Sequence, residues 1–132
     1  MSVLANIESL EWESEFFSLS TAKLNFNGST ATPLNVQALS GFQLVQAKVP
    51  ASRGDWIDTL SSLDFHLVEG EVDFMVSLDT VADSSPDLLF SCRLATEQDI
   101  PALRAVASNV FHLSRFRAPW YQNSDSGRFY AL

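Results

Sequence analysis

Cysteine is almost absent: Cys92 stands alone among 132 residues, which excludes a disulfide framework and a cysteine-based metal site. A reducing cytoplasm is therefore the expected setting. Long apolar runs are missing as well. No stretch approaches the ~20 apolar residues needed to span a bilayer. The opening MSVLANIESLEWE has neither the basic start nor the apolar run of a signal peptide. Basic residues are scarce, eight against sixteen acidic, and the net charge of −8 argues against nucleic acid or an anionic membrane as the main partner. The five glycines, Gly28, Gly41, Gly54, Gly70 and Gly127, are isolated, so no pair has the spacing of a glycine-rich phosphate loop.

What is present is apolar enough to fold. Hydrophobic residues make up 46% of the chain, with ten Phe and three Trp, which excludes an intrinsically disordered segment. The length suits one average domain or two small ones. Charge is unevenly spread. Residues 1–92 hold three basic and thirteen acidic side chains, whereas residues 93–132 hold five and three. The positive balance falls on Ser114–Tyr130, SRFRAPWYQNSDSGRFY, where Arg115, Arg117 and Arg128 lie among Phe116, Trp120, Tyr121, Phe129 and Tyr130. Arg offers a planar fork for phosphate or carboxylate, and aromatic faces can stack on a base or sugar. Pro119 and Gly127 fit a loop that needs restriction at one point and freedom at another. An ordinary connection between helices, with aromatics that simply pack, accounts for the same composition.

Along the chain, Ile7, Leu10 and Trp12 begin an apolar stretch broken by Glu8, Glu11, Glu13 and Glu15, which reads as solvated surface. Ala22, Leu24 and Phe26 alternate with polar residues as in a half-buried strand over 21–26. Asn27–Thr30 is a turn cluster, after which Thr32–Pro33 predicts the cap of a short helix reaching Leu39. Phe42–Val49 reads as a strand. Ser52–Leu63 reads as a helix with Trp56, Ile57, Leu60 and Leu63 on one face. Phe65–Val68 and Val72–Leu78 flank Gly70 as a hairpin. Ala82–Asp87, ADSSPD, reads as a linker, and Leu88–Leu94 as a strand. A helix follows from Asp99, as its cap, through Phe111, with Pro101 in its first turn.

Several long strings carry a resemblance. NIESLEWESEFFS, LVEGEVD at Leu67–Asp73, RLATEQDIPALRAVAS, SRFRAPWY and SGRFYA together resemble nucleotide-sugar N-acetyltransferases of the GNAT superfamily. The likeness runs the whole length of the chain and implies its N-terminal part only, because the family's enzymes continue further. The implied fold is mixed α/β. A degenerate GNAT-like N-terminal domain of strands, helix and hairpin is expected at 1–86, and the opening strand and helix of a GNAT domain at 87–132. Asp64 stands where relatives carry Gly before Phe65, and Asp tolerates the left-handed conformation such a turn needs.

The resemblance further implies acetyl-CoA as co-substrate and a dTDP-linked 4-amino-4,6-dideoxygalactose as acceptor, in biosynthesis of enterobacterial common antigen. GNAT enzymes hold the acetyl-CoA pyrophosphate on a Q/R-x-x-G-x-G/A loop, and no glycine pair here has that spacing. Tyr121 and Tyr130 do not lie at the family's proton-donating tyrosine motif. No catalytic, cofactor-binding or metal-ligating residue is therefore assigned in this chain, no bound cofactor is expected, and the fragment alone is expected to be inactive. The substrate-binding candidates are Arg115, Arg117 and Arg128 for the acceptor's pyrophosphate, with Trp120 and Tyr121 lining its sugar or thymine pocket. Self-association is expected, since Leu88–Leu94 and the helix after it would lack the strands that cover them in an intact GNAT domain.

Other constellations carry less. His66 and His112 are far apart in sequence and read as structural. Glu69, Glu71 and Asp73 read as the solvated face of the hairpin, too few for a calcium site. No Ser-His-Asp or Cys-His arrangement follows from spacing. A second function class stays open beside the enzyme: a non-catalytic interaction or regulatory module whose Arg-aromatic loop meets a protein or an anion.

Overall fold

The computed structural model describes residues 3–77, 91–110 and 114–132. They form two compact units. The first runs up to Leu67 and includes Pro119–Tyr121; the second comprises Val68–Ala118 and Gln122–Leu132.

The first unit is built on a four-stranded mixed sheet. Its strands are β1 (Leu4–Ser9), β2 (Thr21–Asn25), β3 (Thr32–Pro33) and β4 (Leu44–Ala47), in spatial order β3-β1-β2-β4. β1 runs antiparallel to both β2 and β3, and β2 runs parallel to β4. Strand alternation then decides the two faces. Ile7 lies opposite Leu24, and Leu24 opposite Ala47, so these three point to one face. There Ala5 and Leu24 are buried with Leu60 of α3 (Gly54–Ser62), and Val45, Leu39 and Phe65 pack around them. Each Leu buried in this way is worth roughly 1.5–3 kcal/mol. Trp56 of the same helix stacks on Phe26 with ring centroids 4.4 Å apart.

The opposite face of the sheet carries Glu8, Lys23 and Gln46 in one row across β1, β2 and β4. Glu8 pairs with Lys23 at 3.1 Å and accepts from Asn25 at 2.8 Å. α1 (Glu11–Phe17) packs on β2 and buries Phe17. Its end is closed by Ser18, a non-glycine residue in the left-handed region at φ 53°. Helix α2 (Val36–Leu39) completes the first unit.

In the second unit a 3₁₀ turn (Glu97–Asp99) leads into α4 (Ile100–Val110), which packs against α5 (Asp125–Tyr130). The two helices meet closely at Gly127, where a Cβ would lie 2.9 Å from the Ser108 carbonyl oxygen. Gly127 is thus needed for close approach inside a helix, not for a loop's freedom. Phe116 is fully buried, with its ring 4.2 Å from that of Phe129. α4 itself buries no side chain: Ile100, Leu103, Val106 and Val110 all remain about half exposed.

The mixed α/β class is the one expected, and several local readings change. The strand over 21–26 and the helix over 52–63 are present as β2 and α3, and the strand over 42–49 is present as the shorter β4. β1 and α1 form where the residues read only as a broken apolar stretch. Thr32–Pro33 is a strand pair, and α2 is capped by Asn35, whose Oδ1 accepts from the Ala38 N–H at 2.9 Å. Pro suits that place because an edge position makes no demand on its missing N–H. Asp64 takes φ 66°, so the turn expected there survives without glycine.

The hairpin expected over 65–78 does not form in its described part, since residues 65–77 include no strand. Within this stretch the Val68 carbonyl accepts from Arg117 at 2.9 Å. Residues 91–94 likewise form no strand, while 88–90 and the linker expected over 82–87 lie outside the described residues. The helix expected from Asp99 is capped instead by Thr96, with Asp99 as the reciprocal partner of a capping box, and its expected last residue, Phe111, is outside the described residues. Among the described residues no helix is long and apolar enough to cross a membrane.

The start of α4 is sensitive to acid. The Arg93 guanidinium, at 2.6 and 2.7 Å, holds the Asp99 carboxyl well below the usual carboxylate range, and the Thr96 N–H and hydroxyl add to this. A carboxylate depressed in the folded state stabilises above its unfolded pKa, about 3.9, and loses that contribution as pH falls further. Helical dichroism followed from about pH 5 downward should fall below about pH 4. Asp99→Asn should lower stability at neutral pH and flatten the acid limb. An unchanged limb would separate α4 from Asp99.

Candidate functional site

The Arg-aromatic segment is partitioned by the fold. Trp120 and Tyr121 belong to the first unit, and Arg115, Arg117 and Arg128 to the second. Each group is built by its own neighbours.

In the first unit Tyr121 is only 8% exposed. Its ring meets Phe17 edge-on at 4.8 Å, continuing a run of rings through Phe16 to Trp12. Its hydroxyl accepts from the Gln46 side-chain amide at 3.0 Å, and the same amide nitrogen donates to Glu13 at 2.7 Å. Trp120, beside it, is half-buried. Neither Gln46 nor Glu13 stands out in the sequence. Glu8, Glu11, Glu13 and Glu15 read together as solvated surface, yet Glu8 and Glu13 are both half-buried and bonded. Their period across a strand and a helix could not be joined while β1 and α1 were unrecognised.

In the second unit every one of the three arginines has a partner in the chain. Arg117 donates to two backbone carbonyls, Ser114 at 2.7 Å and Val68 at 2.9 Å. Arg128 bonds Asp125 at 2.9 Å across one helical turn, and the other oxygen of this buried carboxylate accepts the Gln122 N–H at 2.9 Å. Arg115 is held least. It approaches Glu69 at 3.6 Å with both side chains more than a third exposed, and its guanidinium lies 4.4 Å from the Phe116 ring centre. Its buried Nε has no hydrogen-bond partner among the described residues. Around these groups Ser114 is buried, donating to the Tyr130 hydroxyl at 3.2 Å and accepting the Phe116 N–H at 3.1 Å.

The cationic forks therefore differ in what an anion could take. An exposed pair 3.6 Å apart contributes about 0–1 kcal/mol, so Arg115 can exchange Glu69 for a phosphate at small cost. Arg117 and Arg128 would have to give up carbonyls or a buried carboxylate. The remaining sequence candidates are plainly placed. His66 is exposed and lies 3.5 Å from the Asp64 carboxylate, Glu69 faces Arg115, and His112 is outside the described residues. Among the described residues no group of three or more His, Cys, Asp or Glu is arranged to hold a metal ion.

Over 131 residues the chain is 47% identical to dTDP-fucosamine acetyltransferase of Escherichia coli O6:H1. The match takes in 99% of this chain and 55% of that protein. The chain thus spans about half the length of the curated relative it matches. No family profile matches the chain.

The arginines can be ranked by stability before any ligand is considered. Arg117→Ala should cost about 1.5–3 kcal/mol through its charged hydrogen bonds. Arg128→Ala should cost a similar amount or more, because it leaves the buried Asp125 carboxylate without that partner. Arg115→Ala should cost less than about 1 kcal/mol. Urea unfolding of the three variants checks the order; a loss at Arg115 as large as at Arg117 would remove the distinction.

Proposed function

We propose that this chain is the N-terminal, acceptor-side portion of a GNAT-type N-acetyltransferase. The reaction is transfer of acetyl from acetyl-CoA to the 4-amino group of a dTDP-linked 4-amino-4,6-dideoxygalactose, in the biosynthesis of enterobacterial common antigen in the cytoplasm. The observation that carries this reading is the 47% identity to dTDP-fucosamine acetyltransferase across 99% of the chain. On it the amine attacks the thioester carbonyl, the carbon–sulfur bond breaks, and the amine proton is lost as the thiolate of CoA is protonated.

The domain division on this reading is a GNAT-like N-terminal domain at 1–86 and the start of the acetyltransferase domain at 87–132. Arg115, Arg117 and Arg128 are the proposed contacts to the acceptor's pyrophosphate, and Trp120 and Tyr121 the proposed lining for its sugar or thymine. Arg115 is the foremost of the three, because its present ion pair is the easiest to exchange. The residues of this chain supply no glycine-rich pyrophosphate loop, so acetyl-CoA is proposed to bind elsewhere and the chain by itself to be inactive.

The test is calorimetric titration of the chain with dTDP, which carries both the pyrophosphate and the base. One charged hydrogen bond is worth roughly 1.5–3 kcal/mol, so Arg115→Ala should weaken dTDP about 10- to 100-fold. Micromolar acetyl-CoA should give no saturable heat. Absence of dTDP binding, or an affinity unchanged in all three arginine variants, would sink the reading.

A homo-oligomer belongs to the same proposal. Ile100, Leu103, Val106 and Val110 line one apolar side of α4 and stay half exposed, and such contiguous apolar surface marks contact sites. A second reading, a non-catalytic interaction module, is favoured by that same surface. Sedimentation at tens of micromolar should give a species larger than the monomer, and Leu103→Asp should dissociate it. A well-folded wild-type monomer would overturn the self-association.

A further inference from the structure

We infer that Gln46 and Glu13 are positioning residues: they fix the Pro119–Tyr121 corner in the first unit and, through it, Trp120. The inference rests on the reading of Trp120 as part of the acceptor pocket and adds the residues that set its place.

Three observations converge on this network. Gln46 sits on β4 directly opposite Lys23, so its side chain rises from the sheet face that α1 covers. Its amide nitrogen has two protons and uses both, one toward Glu13 on α1 at 2.7 Å and one toward the Tyr121 hydroxyl at 3.0 Å. The Tyr121 ring is buried edge-on against Phe17, which leaves the hydroxyl aimed at the sheet. A strand, a helix and a corner 75 residues further along are thus joined at one nitrogen. The carboxylate of Glu13 makes its bond the stronger of the two and orients the amide, so that the second proton is presented to the tyrosine. Trp120 precedes Tyr121 in the chain and is half-buried, so its backbone is held wherever that of Tyr121 is held.

An exchange of chemistry between the two positions tests this. Gln46→Glu alone brings two carboxylates to the spacing now spanned by a 2.7 Å hydrogen bond, which repels the pair. The double variant Glu13→Gln with Gln46→Glu restores complementarity with the polarity reversed: the amide on α1 donates to the carboxylate on β4, and the tyrosine hydroxyl donates to the same carboxylate. Tyr121→Phe keeps the packing on Phe17 and removes only the hydroxyl. Amide hydrogen exchange at Trp120 and Tyr121 is the first readout, and dTDP affinity in fully folded protein the second. The single Gln46→Glu and Tyr121→Phe variants should each speed exchange at these two amides roughly 3- to 10-fold and weaken dTDP by a similar factor. The double variant should return both to within about twofold of wild type.

Exchange that is unchanged in both single variants, or a folded double variant that fails to recover, overturns the positioning role. Recovery of exchange without recovery of dTDP affinity also counts against it, since a merely structural bond would behave that way. If wild-type chain does not bind dTDP at all, the functional reading falls, and the exchange rates alone still decide whether Gln46 and Glu13 hold the corner.

Discussion

Thr21 has no exposed surface, and all of its polar atoms are bonded. Its N–H donates to the Ser14 hydroxyl at 2.9 Å, that hydroxyl donates back to the Thr21 carbonyl at 3.3 Å, and the Thr21 hydroxyl donates to the Leu19 carbonyl at 2.7 Å. The Leu10 N–H reaches the same Thr21 carbonyl at 2.9 Å. The start of β2 is thereby bonded to the N-cap and the middle of α1 and to Leu19 just beyond it. A buried N–H or carbonyl without a partner costs about 1–3 kcal/mol, so the helix has few other places to lie. From that constraint the rest of the outer face follows. Phe17 is pressed onto the sheet, Glu13 is brought over β4, and Gln46 finds both Glu13 and Tyr121.

The same strand shows what could be read from the residues and what could not. Ala22, Leu24 and Phe26 alternate cleanly, and the structure sets Leu24 in the core with Phe26 packed against it. The face of α3 was also legible, and its Leu60 is buried. β1 was not, because Leu4, Asn6 and Glu8 face away from the core and only Ala5 and Ile7 point into it. Ala5 is too small to signal a strand, and Glu8 is tolerated because Lys23 and Asn25 meet it. α1 lacks a capping signal: Leu10 precedes it and makes no side-chain cap. The segment 65–77 fails for the opposite reason. Val72, Phe74 and Val76 alternate as a strand should, but alternation gives only the face, and a ladder needs a partner that the described residues do not supply.

The arginine cluster was legible as a local excess of charge, but its wiring was not. Composition treats three guanidinium groups as equivalent, whereas the fold gives them unequal work. Arg117 ties two carbonyls, one of them 49 residues away, and Arg128 neutralises a buried carboxylate on its own helix. Arg117 thereby ties down residues that belong to no helix or strand. Arg115 has a loose, exposed carboxylate and a stacking contact. A site that must admit and release an anion needs at least one cation whose resting partner is weak, since a fork already saturated by backbone would have to be unmade each time. Among the three, Arg115 meets that condition, and its partner Glu69 belongs to the stretch from which the expected hairpin is missing.

The two units hold their helices by different means, and this bears on how each responds to change. α3 and α1 each bury an apolar side chain, Leu60 or Phe17, so their stability comes from the face. α4 is 11 residues long and buries none, and an isolated helix of that length is marginal in water. Its order must come from its start and from its contact with α5. At the start, Thr96 and Asp99 satisfy orphan N–H groups and Arg93 clamps the carboxylate. At the contact, Gly127 lets α5 approach the Ser108 carbonyl more closely than any side chain would permit. Electrostatic closure and backbone approach take the place of a buried stripe, which leaves the apolar side of α4 available to another surface. A helix secured in this way needs no buried stripe to keep its shape, and Ser114–Arg117, the segment that bears Arg115, is anchored independently of it through Ser114 and Phe116 to Tyr130 and Phe129 of α5.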